Sequence, residues 1–298
     1  MNKELKTILE AEYQEDISWQ LKNEAQAKRA RQTGNEAEYF DFAFHERLPD
    51  TCWALERWDE SRHWYLHNAL ILTAAREWHK LHSEPDFPIE QFLDREATTH
   101  IKAGKLAEGR ELLKKAIAYW KKEVEPELVL SELCLHAAQA GLSRLAHHAS
   151  AAVEARKLLG VEKSKAAKRI RELLQYEAAE AALLLGQWDQ LESSLDTVAE
   201  VEQLIKKHSI NALPKFLQQA LLDSIRGLRV LFEMKSGRTD LNSGKADARV
   251  FFEDAMLGFY KFMGGTDWNT YFMRLNTRLA ENLADGRAID ANPFAEVK

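Results

Sequence analysis

Residues 56–60 read Glu56-Arg57-Trp58-Asp59-Glu60 and stand between two stretches of helical periodicity. An acidic residue arrives just where a new apolar stripe begins, the pattern of one helix ending and the next being capped. The same kind of stop recurs at Ala103-Gly104-Lys105-Leu106-Ala107 and Ala140-Gly141-Leu142-Ser143. It recurs again at Leu185-Gly186-Gln187-Trp188-Asp189 and Ser236-Gly237-Arg238-Thr239-Asp240. Punctuation every few dozen residues predicts helical hairpins stacked into an array, with function as binding on an extended surface.

Composition agrees with an all-α reading. Of 298 residues, 13 are glycine and 6 proline, roughly half the usual share, which removes most of the turn chemistry a β-rich fold requires. Charged residues make up 30% and apolar types 45%, as expected of a folded, soluble chain. A net charge of −6 argues against a nucleic-acid binder and makes a basic protein or peptide partner easier than an acidic one. The start of the chain has no apolar signal-like core, and the uncharged run from Trp64 to Ala75 is too short for a bilayer. The expectation is a cytoplasmic protein without membrane contact, with Cys52 and Cys134 as buried, reduced thiols. Oligomeric state is not legible.

Between the stops, Leu5, Ile8, Leu9, Tyr13, Ile17 and Leu21 mark one face of an opening helix that Gly34 ends. Tyr39, Phe40, Phe42 and Phe44 predict a short aromatic helix stopped by Pro49. A long helix follows from Asp59 to His82, with Trp64, Ile71, Ala74, Ala75, Trp78 and Leu81 as its apolar stripe. Pro85 and Pro88 mark a linker, and Pro88 begins a helix reaching Gly104. Further helices are expected over Leu106–Trp120, from Pro126 to Gly141, onward to Gly160, and over Glu162–Leu185 and Asp189–Lys207. Another runs from Pro214 to Lys235. Residues 236–245 read as a mobile loop, and Asp267 is placed to cap the last helix after Gly264-Gly265-Thr266.

The turn Gly186-Gln187-Trp188-Asp189-Gln190-Leu191-Glu192, preceded by Ala178, Ala181 and Ala182, resembles the turn inside tetratricopeptide-type (TPR) hairpins. Arg57-Trp58-Asp59-Glu60 and Gly104-Lys105-Leu106-Ala107 resemble it less closely. Taking Trp58, Leu106, Leu142 and Trp188 as equivalent gives gaps of 48, 36 and 46 residues, against about 34 in a regular array. The Trp-x-x-Leu-Gly-x-x-Tyr signature is missing. The resemblance implies an irregular right-handed stack of antiparallel hairpins, a TPR-like α-solenoid of roughly a dozen helices. It would comprise an N-terminal helical cap (1–49), a helical-repeat region (50–284) and a loosely held tail (285–298). No ligand residue carries over from the family.

Glu56, Glu60, His63 and His67 advance by four, three and four residues, one stripe of a continuous helix. With Trp64, the last three form a polar surface suited to partner recognition, so Glu60, His63, Trp64 and His67 are the candidate partner-binding residues. Glu60-Ser61-Arg62-His63 also matches the Glu-x-x-His element of di-iron bundles, making Glu60, His63 and His67 the fallback metal ligands of a helical metalloprotein or enzyme. Such a bundle needs a second Glu-x-x-His, and the chain has none. No cofactor or catalytic residue is expected. The basic stretch Arg156–Arg171 reads as a solvated helix face, and Gly264-Gly265-Thr266 lacks the lysine of a phosphate loop. The leading expectation is a non-enzymatic interaction module. A bacterial immunity-type protein that neutralises a toxin is one concrete form.

Overall fold

The computed structural model describes residues 1–82, 90–123 and 215–287, and all regular structure among them is α-helix. The chain runs through α1 (Lys3–Thr33), α2 (Glu36–Ala43), α3 (Leu48–Ala54), α4 (Trp58–His82), α5 (Glu90–Lys102) and α6 (Leu106–Glu123). The later described residues form α7 (Lys215–Lys235), α8 (Leu241–Met263) and α9 (Trp268–Ala284). No helix among the described residues is long and apolar enough to cross a membrane. The turns at Gly141 and Gly186, the Pro85–Pro88 linker, Cys134, Trp188 and the Arg156–Arg171 stretch lie outside the described residues.

The stops share one geometry. At Gly34, Gly104, Gly237 and Gly286 the chain turns left-handed, with φ of 72°, 78°, 70° and 71°. In each case the next N–H reaches back five residues: Asn35 to Ala30, Lys105 to His100, Arg238 to Glu233, Arg287 to Asn282. This double-bonded ending satisfies carbonyls that a finishing helix leaves open. The α3 helix ends the same way, Arg57 N–H to Cys52 O at 2.9 Å and Glu56 N–H to Trp53 O at 3.0 Å. There the left-handed residue is Glu56, φ 62°, where the other turns have glycine.

Three sequence expectations need correction. Pro49 starts α3 within its first turn instead of stopping the aromatic helix, which has already ended at Phe44; proline is tolerated there because that N–H lacks an intrahelical partner anyway. The loop expected over 236–245 closes by Asp240, whose side chain caps α8 by accepting from Asn242 N and Ser243 N. On α1 the expected apolar face is buried only at its start. Leu5, Leu9, Glu12, Asp16, Ala27 and Ala30 are buried, whereas Leu21 is 62% exposed. The reason is angular: steps of three and four hold one seam, but the repeated four-residue steps Leu9, Tyr13, Ile17, Leu21 each advance about 40° around the helix.

The main core lies where the two ends of the chain meet. Leu5 and Leu9 of α1 and Trp53 of α3 join Leu228 and Leu231 of α7, Phe252 and Met256 of α8, and Tyr271 and Leu275 of α9. Helix α1 packs on α8, and α3 on α9. The pair α7 and α8 approaches closely, since a Cβ at Gly258 would lie 2.6 Å from Ala220 Cβ and 2.9 Å from Phe216 O. A smaller cluster packs Tyr39, Phe40, Phe42 and Phe44 around Ala27, Ala43 and Ile71.

Candidate functional site

The structure divides the four predicted site residues among three surroundings. Glu60 faces α1: its Oε1 accepts from the Tyr13 hydroxyl at 2.6 Å, and Arg57 lies 3.7 Å from Oε2. Burial and this bond push the Tyr13 hydroxyl up to about 12. Trp64 and His67 instead gather against His45, at ring distances of 4.9 and 5.7 Å from it. His67 Nε2 lies 2.8 Å from the Ala43 carbonyl, which can only accept, so that nitrogen carries the proton. His63 is exposed and meets the Trp64 edge at 5.1 Å. Glu56 leaves the stripe altogether, because it belongs to the turn before α4. Among the described residues no group of three or more His, Cys, Asp or Glu is placed to hold a metal ion.

Helix α4 presents a different surface. Its inner side buries Ser61, Tyr65, Asn68, Ala69, Ile71, Leu72 and Ala75. On the opposite side His63, Leu66, Leu70, Ala74, Glu77 and Leu81 fall within an arc of about 80°. Leu70 is 69% and Leu81 81% exposed, and Ala74 is exposed beside them. Ala74 and Leu81, expected in the core stripe, therefore belong to an outward apolar stripe.

The densest polar chemistry is internal and centres on α3. Three sets of charges converge there from other helices. In the first, Asp16 of α1 accepts from Arg47 Nη2 and the Thr51 hydroxyl, each at 2.8 Å. One turn earlier Glu12 Oε1 takes the Thr266 N–H at 3.3 Å, while Glu12 Oε2 is buried without a hydrogen-bond partner. Burial is the main reason both carboxyls sit above their usual range.

In the second set, Lys102 of α5, 5% exposed, donates to both oxygens of Asp50 at 2.6 and 2.9 Å. The Tyr65 hydroxyl bonds the same carboxylate, and the ammonium lies 4.8 Å from the Tyr271 ring centroid. In the third, Glu56 Oε1 accepts from Arg249 Nη2 at 2.6 Å and Arg274 Nη1 at 2.7 Å. Glu253 adds contacts to Arg249 Nε at 3.0 Å and Arg274 Nη1 at 3.3 Å. Between these sets Trp53, fully buried, donates from Nε1 to the Tyr271 carbonyl at 3.1 Å. Cys52 is a free, buried thiol whose pKa burial raises, so it stays unreactive.

These internal groups were invisible as a site in the sequence. Most of their partners are distant along the chain, as far as 254 residues for Glu12 and Thr266, and the local signal was the opposite of a site: charged residues on an amphipathic helix. One hint existed in Glu56, an acid at a position where the other described turns use glycine. No family model, curated protein or solved structure matches the chain.

Proposed function

We propose that the chain is a non-enzymatic interaction module that holds a protein or peptide partner against the outward face of α4, in a TPR-like stack of helical hairpins. The observation that carries this reading is the exposed stripe His63, Leu70, Ala74 and Leu81, with the half-buried Leu66 beside it, on which Leu70 and Leu81 are the most exposed large hydrophobic side chains among the described residues. It extends about 27 Å along the helix, enough for several turns of a partner helix anchored at three- and four-residue spacing. Apolar area presented to water in a row favours association, whereas isolated exposed leucines need no explanation. The polar groups named beforehand support the same view, since Glu60 and His67 are held by Tyr13 and Ala43 within the molecule and Trp64 packs against His45, leaving His63 as the site's outward member. The net charge of −6 favours a basic partner, and neutralising a toxin by covering it is one form the role would take.

A photo-crosslinking residue placed at position 70 in the native host tests this, with position 69, which is buried, as the control. One dominant protein adduct from position 70, lost when Leu81 is changed to Glu, is the expected result. Absence of any adduct from positions 63, 70 and 81 would remove the basis for the reading.

A further inference from the structure

Arg274 is wholly buried on α9, yet only one of its three guanidinium nitrogens is engaged. Nη1 donates to Glu56 and Glu253, while Nε and Nη2 are buried with no hydrogen-bond partner. Those two N–H groups share one edge of the planar guanidinium, the fork that grips two oxygens of a carboxylate or phosphate at once. One helical turn further, on the same face, the guanidinium of Arg278 lies 4.6 Å from the Trp58 ring centroid and 6.0 Å from that of Trp53. Its Nη1 is also buried without a partner. The nearby acids are committed elsewhere. Glu56 and Glu253 reach Arg274 only through Nη1, and Glu281 takes Arg249 Nη1 at 2.8 Å. Donors left unmet in a dry interior are costly, and here two sets of them lie on adjacent turns, that of Arg278 beside the Trp58 ring.

We propose that Arg274 and Arg278 form a binding site for a small oxyanion with two adjacent oxygens, of the carboxylate or phosphate class. The Nε/Nη2 edge of Arg274 receives two oxygens, Arg278 Nη1 adds a third donor, and Trp58 forms one wall. Entry is along Arg278, the half-exposed member of the pair. This site is separate from the outward face of α4, so neither proposal depends on the other.

Thermal unfolding of the full chain is measured against increasing inorganic phosphate and, separately, succinate, each compared with sodium chloride at the same ionic strength. The site predicts a saturable rise in Tm of a few degrees with at least one of these anions, and the better ligand identifies the class. Arg278→Gln weakens the half-saturating concentration by about tenfold or more, and Arg274→Lys, which keeps charge but loses the fork, weakens it further. Because Arg274 also holds Glu56, the Arg278 variant decides the matter if Arg274→Lys fails to fold. Equal Tm in both anions and the chloride control, or an unchanged titration in Arg278→Gln, overturns the site.

Discussion

Glu56 is a residue whose backbone and side chain pull in opposite directions. Its left-handed φ costs on the order of 1 kcal/mol against glycine. Its carboxylate, however, is the acceptor closest to Arg274, which is fully buried. Removing one partner of a buried charge group is generally the larger effect. Glu56→Gly is therefore expected to lose about 2–3 kcal/mol in urea unfolding despite relieving the turn; a variant as stable as the parent would show that the ion group contributes nothing net. Glu12 is the converse case. Its folded-state pKa is raised, so its titration adds stability at low pH that is lost as pH rises through that value. Glu12→Gln keeps an acceptor for the Thr266 N–H and removes the buried charge, so at pH 7 it should match or exceed the parent in Tm. His45 has the other sign. Burial, then the neighbouring His67, lowers its pKa to about 4, so stability present above about pH 6.5 drains away toward pH 4. His45→Gln should remove up to one proton's slope, about 1.4 kcal/mol per pH unit, from that window; unchanged curvature of Tm against pH would contradict it.

At the scale of elements, glycine within a helix marks contact. Gly258 of α8 faces Ala220 and the Phe216 carbonyl of α7, where backbone cannot retreat from a new methyl group. Gly258→Ala would gain about 1 kcal/mol in an isolated helix. Here it should instead cost about 1–3 kcal/mol by forcing α7 and α8 apart, which chemical unfolding measures directly. Helices α1 and α4 show why periodicity alone misplaced part of each face. Each has apolar residues on two sides, and only the packing partner decides which side is inside. On α1 the neighbours α3 and the α8–α9 turn supply Arg47, Thr51 and the Thr266 N–H, so Glu12 and Asp16 are tolerated within the seam that Leu21 leaves. On α4 the inner face meets α3 and α5, and the second apolar row is left outward.

For the described molecule as a whole, the stretch from Arg47 to Glu56 is where distant helices are tied together. Trp53 bonds the Tyr271 carbonyl and stacks on its ring at 5.1 Å, joining α3 to α9 at the centre of the main core. Trp53→Ala should cost roughly 3–5 kcal/mol and accelerate hydrogen exchange in α1, α3 and α9 together. Acceleration confined to α3 would mean that the ends of the chain are held independently. Among the described residues the all-α class, most helix limits and the glycine-ended turns were legible in the sequence because caps and turn dihedrals are local properties of a few adjacent residues. The buried seam of α1, the outward row on α4 and the gathering of Asp16, Asp50 and Glu56 with Arg47, Lys102, Arg249 and Arg274 were not. A carboxylate is stable inside only if a partner arrives, and these partners come from other helices, so tertiary structure alone decided which charges would be buried.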